Sequence, residues 1–299
     1  MQKRLDGLVA AVFTPMQADG SLNLAQVGPM VDYLISHGVN AIFACGSTGE
    51  GPLLTVAERR DTAAAYVEAA ARRLPVIVHV GHSSPAEARG LAAHAQQIGA
   101  DAVSAVAPWY FKPASVEALI ACLAEITAGA PELPFYYYHI PSLTGVGLDV
   151  VELLRCGGDR LPTMVGVKYT APTVDELQAL LEFDGGRYDV LFGRDEMLLS
   201  ALSVGVRGAI GSTYNFAALL YRRLIDAFDR EDLREARACQ SRAVAMIRLL
   251  LRHGGLPAFK AIMKWLGLDC GPVRPPLLPP DVEDLAQIKR GLDALGCFE

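Results

Sequence analysis

The sequence predicts a (β/α)8 barrel with a C-terminal helical extension, and three observations lead to this prediction. Short runs rich in β-forming residues alternate with longer runs of helical periodicity along most of the 299 residues. The short runs are apolar at consecutive positions, which is typical of parallel strands covered by helices. Eight such runs occur, and eight strand–helix repeats predict closure into a barrel.

The predicted strands cover residues 8–13, 41–45, 75–80, 101–106, 134–139, 164–168, 189–193 and 206–211. The main alternative fold, an open doubly wound sheet, usually carries a glycine-rich dinucleotide loop after its first strand. Here the first strand ends in "FTPMQADG", which contains no G-x-G-x-x-G pattern. The barrel is therefore the favoured fold class.

Two of the stretches between strands have a clear helical pattern, over residues 55–73 and residues 84–99. In the second stretch, Ser84 and Pro85 suit the N-cap and first-turn positions, and Gly99 suits the end of the helix. We therefore expect a helix over each stretch.

About a quarter of the chain follows the eighth strand, and its pattern is helical from "NFAALLYRRLIDAF" onward. Long helical stretches lie near residues 231–253, 258–266 and 280–295, and a proline-rich connector, "GPVRPPLLPP", separates the last two. No second core pattern appears. We predict a barrel domain over residues 1–230 and a helical extension packed on the barrel over residues 231–299.

The composition is that of a soluble globular protein, with 52% hydrophobic residues, 20% charged residues and a formal net charge of −6. No tract rich in lysine and arginine appears, so nucleic acid and anionic membranes are not expected as partners. The N-terminal stretch "MQKRLDGLVAAVFTP" is interrupted by Asp6 and Pro15, which favours a strand over a signal peptide.

The cysteines are scattered and form no C-x-x-C pair; they lie at positions 45, 122, 156, 239, 270 and 297. This spacing argues against a disulfide framework or a zinc site. We expect free thiols in a reducing, cytoplasmic environment and a site that uses neither a metal nor a cofactor.

The sixth strand ends at a lysine, Lys168, in "VGVKYT". In a (β/α)8 barrel the active site lies at the C-terminal ends of the strands, so this position is a candidate. Burial would disfavour the charged amine and lower its pKa, and a neutral amine can attack a carbonyl to form a Schiff base. The alternative is a lysine that extends its amine to solvent, and the residues alone leave both interpretations open.

The second strand leads into a loop of small residues, "GSTGEG". Its glycines allow a tight turn that exposes backbone N–H groups, and Ser47 and Thr48 add hydroxyl donors, which suits a small carboxylate. An ordinary turn that caps the next helix is equally compatible with this sequence.

The fifth strand carries the tyrosine run "YYYHIP". Because side chains alternate along a strand, Tyr136 and Tyr138 point to one face and Tyr137 to the other. A tyrosine at the strand end can transfer a proton, although most strand tyrosines pack in a core. His139 is expected to be a structural hydrogen-bonding residue rather than a base.

Two adjacent carboxylates, Asp195 and Glu196, follow Gly193 at the end of the seventh strand. They can interact with a helix dipole or accept hydrogen bonds from a polyhydroxylated substrate. No carboxylate cluster typical of a metal site and no phosphate-binding loop appears. These features favour an unphosphorylated acid as the small-molecule substrate.

Four motifs together resemble a known family: "GSTGEG", "YHIPSLTGV", "GVKYT" and "GSTYNF". The chain resembles the pyruvate-dependent class I aldolases grouped with dihydrodipicolinate synthase and N-acetylneuraminate lyase. The similarity runs from "GLVAAVFTP" to "GPVRPPLLP", nearly the whole chain. Each motif alone is weak, whereas the combination is highly specific.

The resemblance implies a role for each matching position. Lys168 matches the lysine that forms a Schiff base with pyruvate, and Tyr138 matches the tyrosine that relays protons. Ser47 and Thr48 match the pair that holds the pyruvate carboxylate, and the Ser47 hydroxyl also links two tyrosines. Tyr110, in "APWYFKP", matches the second tyrosine, which a neighbouring subunit supplies in relatives. The resemblance therefore implies a homotetramer built from tight dimers.

Within the family, the substrate is decided at the acceptor end. The synthase branch has an arginine where this chain has Leu143, and the lyase branch has a leucine there. Positions expected to contact the glycerol-like tail of a sugar acid are Thr170, Gly193, Asp195, Glu196 and Ser212. One departure is Gly147, where the lyases usually have a basic residue.

The resemblance implies cleavage of N-acetylneuraminate to N-acetylmannosamine and pyruvate, without a cofactor. A condensing synthase, an aldolase or a dehydratase acting on another 2-keto acid would use the same Lys168 chemistry. A sugar-acid sensor that has lost catalysis is the third alternative, but it would need no nucleophile.

Overall fold

The structure is a computed structural model that describes residues 4–296. It confirms the predicted fold class, because eight parallel strands form a closed barrel in sequence order and β1 pairs with β8. The strands are β1 Gly7–Ala11, β2 Ala41–Ala44, β3 Val76–His79, β4 Ala102–Val106, β5 Phe135–His139, β6 Met164–Tyr169, β7 Asp189–Phe192 and β8 Gly208–Gly211.

Helices follow the strands and continue after the last one. They are α1 Val27–Ser36, α2 Val56–Ala70, α3 Pro85–Gln97, α4 Val116–Thr127, α5 Pro141–Thr144, α6 Val150–Gly157, α7 Val174–Glu182, α8 Leu198–Ser203, α9 Tyr214–Asp229, α10 Leu233–Arg252, α11 Leu256–Ile262 and α12 Val282–Leu295. Within the described residues, none of these helices is both long enough and apolar enough to cross a membrane.

The ends of α2 and α3 show how local chemistry sets the helix boundaries. Ser84 accepts a hydrogen bond from the backbone of the first turn of α3, and Pro85 occupies the first position, as predicted. Helix α2 was predicted to extend to residue 73 but ends at Ala70. The reason is that Ala71 and Arg72 both adopt left-handed backbone angles, with φ of 47° and 58°, which stop a right-handed helix.

Side chains alternate between the barrel interior and the surrounding helices, as the strand period requires. On β5, Tyr136 and Tyr138 pack inside the barrel together with Phe43 of β2. Tyr137 belongs to the outer core between strands and helices, as does Tyr169 of β6. The tyrosine run is therefore divided between the two cores.

The helices after the barrel pack against one another and against the segment that follows β7, at the C-terminal ends of the strands. Helix α10 contacts α9 and α12. The Gln240 side chain on α10 accepts a hydrogen bond from the backbone N–H of Leu199 at 2.8 Å and donates one to the Asp195 carbonyl at 3.3 Å. The proposed domain boundary at residue 230 falls between α9 and α10, which pack against each other. The boundary therefore stays a prediction.

Five of the six cysteines are free thiols, namely Cys45, Cys122, Cys156, Cys239 and Cys270. Cys297, the sixth, lies outside the described residues.

Candidate active site

A cavity of about 610 Å³ opens at the C-terminal ends of the barrel strands. Nine of the ten site residues predicted from the sequence line it: Ser47, Thr48, Tyr138, Lys168, Thr170, Gly193, Asp195, Glu196 and Ser212. These residues come from five different strand–helix loops or strand ends. Their convergence is the arrangement expected of a barrel active site.

Lys168 lies inside the barrel, next to Tyr138 in the register between β6 and β5. It is 4% exposed, and its Nζ lies 3.8 Å from the centre of the Phe43 ring and 4.0 Å from that of Tyr138. Burial lowers the pKa of Lys168 to about 7, although the Asp195 carboxylate opposes the shift. Lys168 therefore does not extend to solvent, and a large fraction of it is neutral near pH 7.

The Phe43 ring forms one wall beside the Lys168 amine, a role that no motif in the sequence indicated. The ring meets Tyr138 edge to face, with centroids 5.7 Å apart. An aromatic face attracts an ammonium group, but this attraction does not compensate for the hydrogen bonds to water that the group loses on burial. Phe43 thus contributes to the desolvation that lowers the pKa of the amine.

Burial raises the pKa of Tyr138 to about 12, so its phenol is protonated at rest. The hydroxyls of Ser47 and Thr170 approach the phenol oxygen and oppose the rise in pKa. Thr170 Oγ1 is buried and has no hydrogen-bond partner that meets full geometric criteria. Tyr138, Ser47 and Lys168 together form a group that could transfer a proton to or from a substrate carbonyl bound in the cavity.

The loop after β2 is held in a tight conformation. Thr48 Oγ1 and Ser212 Oγ lie 2.6 Å apart, which connects this loop to the loop after β8. A Cβ at Gly51 would lie 2.0 Å from the Cys45 carbonyl oxygen, so only glycine fits there. The loop therefore presents hydroxyls and backbone N–H groups from a fixed turn, which is suitable for a carboxylate.

Asp195 is buried at the end of β7 and bonded to the loop after β8. Its Oδ2 accepts hydrogen bonds from the backbone N–H of Thr213 at 2.9 Å and from Thr213 Oγ1 at 2.6 Å. Burial raises the pKa of Asp195 to about 6, while the Thr213 hydrogen bonds oppose the shift. Asp195 thus lines the cavity and also joins two loops.

Glu196 has a different environment. Its Oε1 accepts a hydrogen bond from Arg194 at 2.7 Å, and both side chains are about a third exposed. Arg194 also lines the cavity but was not among the residues predicted from the sequence. The "GRDE" motif contained it, but a single arginine in a loop carries no specific signal.

Gly193 allows two neighbouring strand ends to approach each other. A Cβ at this position would lie 1.9 Å from Thr170 Oγ1, so a larger residue would displace Thr170. The predicted contact of Gly193 with substrate stays a prediction. The structure adds a packing reason for the glycine.

Two other candidates lie away from the cavity. Tyr110 is 78% exposed, packs edge to face on the equally exposed Phe111, and does not line the cavity of its own chain. His139 is buried on the outer side of β5, where its ring stacks on Tyr169 with centroids 5.4 Å apart. His139 therefore has the structural location that we expected.

The outer wall of the cavity is apolar and comes largely from the C-terminal helices. It contains Leu143 of α5 together with Ile247, Leu251, Leu256, Phe259 and Leu277. The sequence could not indicate this wall, because an apolar helix residue that faces a cavity has the same pattern as one that faces a core. Among residues 4–296, no group of three or more histidine, cysteine or acidic side chains is placed to hold a metal ion.

Comparison with known proteins gives consistent results. The model of the dihydrodipicolinate synthetase family matches residues 4–295. The N-acetylneuraminate lyase of Mus musculus is 42% identical over 299 residues, covering 98% of this chain and 93% of that protein. The N-acetylneuraminate lyase of Homo sapiens is 42% identical over 302 residues, covering 98% of this chain and 94% of that protein.

Solved structures show the same similarity. The Proteus mirabilis N-acetylneuraminate lyase superposes with a TM-score of 0.96 at 37% identity and covers 99% of this chain and 100% of that chain. The N-acetylneuraminate lyase (sialic acid aldolase) of Aliivibrio salmonicida has a TM-score of 0.97 at 36% identity. It covers 100% of this chain and 99% of that chain.

Proposed function

This chain belongs to the dihydrodipicolinate synthetase family, and from that premise we propose that it is a class I aldolase that cleaves N-acetylneuraminate to N-acetylmannosamine and pyruvate. The observation that carries the proposal is the position of Lys168. Its amine is buried between two aromatic rings in the cavity, has a pKa of about 7, and lies beside Tyr138. A neutral amine in such a site is a nucleophile for a ketone.

The first step forms the Schiff base. The Lys168 amine attacks the C2 ketone of the open-chain sugar acid, and the carbinolamine loses its hydroxyl as water, leaving an iminium. The Tyr138 phenol supplies the proton for the departing water and becomes a phenolate. The nearby iminium cation stabilises this phenolate, which otherwise would be costly in a buried site.

The second step breaks the carbon–carbon bond. The Tyr138 phenolate takes the proton of the C4 hydroxyl, the C4 oxygen forms the aldehyde of N-acetylmannosamine, and the C3–C4 electron pair moves into the iminium to give an enamine. A phenol whose pKa is raised to about 12 gives a strongly basic phenolate, which suits an alcohol as the proton donor. Lys168 thus supplies the electron sink.

The last step releases pyruvate. The Tyr138 phenol gives its proton to C3 of the enamine, water adds to the resulting iminium at C2 and returns a proton to the phenolate, and the carbinolamine collapses to the C2 ketone of pyruvate and the free Lys168 amine. The loop that carries Ser47 and Thr48 holds the carboxylate throughout. Glu196 and the more buried Asp195, with Thr170, Gly193 and Ser212, line the part of the cavity that we assign to the polyol tail.

Leu143 favours the lyase over a synthase reaction. Condensing pyruvate with aspartate semialdehyde requires a cation to hold a second carboxylate, and Leu143 has no donor at the cavity mouth. Arg194 also lines the cavity, and its Nη2 is bonded to Glu196. A panel of 2-keto sugar acids, assayed for pyruvate release, tests the proposal; no release from N-acetylneuraminate would refute it and direct attention to the other 2-keto acids.

We also propose that the working assembly is a cytoplasmic homotetramer in which Tyr110 acts in the site of a neighbouring subunit. Exposure of the adjacent Tyr110 and Phe111 rings supports this proposal, since two large apolar rings on a surface suit an interface. The five described free thiols are compatible with a reducing compartment.

A further inference from the structure

A buried ion pair lies under the loop that carries Ser47 and Thr48. Lys260 Nζ, on α11, lies 2.7 Å from Glu50 Oε1, at the end of the loop. The side chains are 1% and 0% exposed, respectively. The pair joins the C-terminal helices to a loop 210 residues earlier in the chain.

Each charge has a further partner from the same region. Glu50 Oε2 accepts a hydrogen bond from the backbone N–H of Arg274 at 2.8 Å. Lys260 Nζ also donates to the Pro272 carbonyl at 2.7 Å. Both oxygens of the carboxylate are therefore bonded, which is what allows two charges to remain buried.

The backbone at Glu50 needs this support. Its φ of 55° lies in the left-handed region, which is unfavourable for a residue with a Cβ, whereas glycine adopts it freely. The backbone N–H of Glu50 donates to the Ser47 carbonyl at 3.1 Å, and that of Gly51 donates to the Gly46 carbonyl at 3.0 Å. The conformation of residue 50 is thus coupled directly to that of Ser47.

We propose that Lys260 and Glu50 are positioning residues, which fix the loop so that Ser47 and Thr48 bind the carboxylate of pyruvate. This inference rests on the proposed function. In it, Lys260 on α11 contributes to substrate binding without lining the cavity, because it holds the glutamate whose backbone closes the loop. A pair that served only to dock the helices would affect stability and leave carboxylate recognition unchanged.

Trapping on Lys168 with borohydride separates these two roles. Pyruvate carries the carboxylate, whereas hydroxyacetone is a neutral ketone of similar size that lacks it. The half-saturating concentration of each ketone is measured for the full-length protein and for the double variant Lys260→Met with Glu50→Gln. The double variant removes both charges, so neither is left buried without its partner, and the fold is expected to survive.

We expect the half-saturating pyruvate concentration to rise by about tenfold or more in the double variant, the scale of effect for a displaced binding group. The value for hydroxyacetone should remain that of the wild type. Glu50→Asp retains the charge but shortens the side chain, so it should give a smaller rise and serves as the test if the double variant does not fold.

The matched control is Asp284→Asn. Asp284 Oδ1 lies 2.7 Å from His253 Nδ1, so the change loosens the packing between α10 and α12 but touches nothing in the loop. The half-saturating pyruvate concentration of Asp284→Asn should stay at the wild-type level.

The outcomes are distinct. Unchanged pyruvate values in both loop-pair variants, or equal losses for pyruvate and hydroxyacetone, would overturn the positioning role. If the wild type itself forms no pyruvate adduct, the proposed function fails first and the inference falls with it.

Discussion

At the residue scale, Lys168 shows how burial creates reactivity. The ammonium form would lie against the rings of Phe43 and Tyr138, which solvate a cation less well than water does. The pKa falls from the usual 10.5 to about 7, so a base that would be almost fully protonated in water is largely available as a nucleophile.

This pKa predicts a pH dependence. The initial rate of borohydride-trapped pyruvate adduct at Lys168 should rise with pH and level off above an apparent pKa near 7, because only the neutral amine attacks the ketone. The measurement is the trapping rate against pH at a pyruvate concentration well below half-saturation, where the profile reports the free enzyme. A rise that continues to pH 10, as for a lysine exposed to water, would contradict the assignment.

The second prediction at the residue scale concerns Tyr138. Tyr138→Phe retains the ring beside Lys168 but removes the hydroxyl, so it should reduce turnover by roughly a hundredfold or more, the usual scale for losing a general acid–base. Imine formation should remain detectable by borohydride trapping. Near-normal turnover in Tyr138→Phe would exclude the proton-relay role.

At the element scale, the loops after β7 and β8 act as one unit. Asp195 of the first accepts two hydrogen bonds from Thr213 of the second, while the neighbouring Glu196 is about a third exposed and paired with Arg194. Two adjacent carboxylates therefore have different environments, even though the sequence offered the same two interpretations for both.

Because the two environments differ, substitutions at Glu196 and Asp195 should have different effects. Glu196→Gln should keep the wild-type melting temperature and lose activity on long sugar acids while still trapping pyruvate. Asp195→Ala should lower the free energy of unfolding by about 1–3 kcal/mol, since it leaves the buried backbone N–H of Thr213 without its acceptor. Thermal unfolding and trapping are measured together, and a parallel loss of trapping in Glu196→Gln would show that Glu196 is structural.

The strands and the site residues at their ends were predictable because barrel strands are short apolar runs and the active site lies at one end of every strand. Lys168, Tyr138 and Ser47 stand at such strand ends and line the cavity, whereas their roles were predicted from the family resemblance. The Lys260–Glu50 pair could not be found, since its partners are 210 residues apart and their pairing exists only in the folded chain. Similarly, no local pattern distinguishes Phe43 from other core aromatic residues.

At the scale of the whole molecule, Tyr110 determines whether one chain suffices for catalysis. It does not line the cavity of its own chain, so its proposed role in the proton relay requires a second copy. We expect a tetramer by sedimentation, and Tyr110→Phe should reduce turnover while leaving the tetramer intact. A fully active monomer would contradict the proposal.

The C-terminal helices contribute apolar side chains to the cavity, where Leu251, Leu256 and Phe259 line it together with Leu143. An apolar wall of this kind does not favour a second carboxylate. The molecule as a whole is therefore better suited to a neutral polyol than to a dicarboxylic product.

The most direct test of the central claim combines trapping with product analysis. The protein is incubated with N-acetylneuraminate, pyruvate release is followed in a coupled assay, and a parallel sample is reduced with borohydride and examined by peptide mass spectrometry. We expect pyruvate release together with a reduced three-carbon adduct on the peptide that contains Lys168, and neither in Lys168→Met. An unmodified Lys168 peptide, or efficient dihydrodipicolinate formation with no pyruvate released from N-acetylneuraminate, would contradict this account.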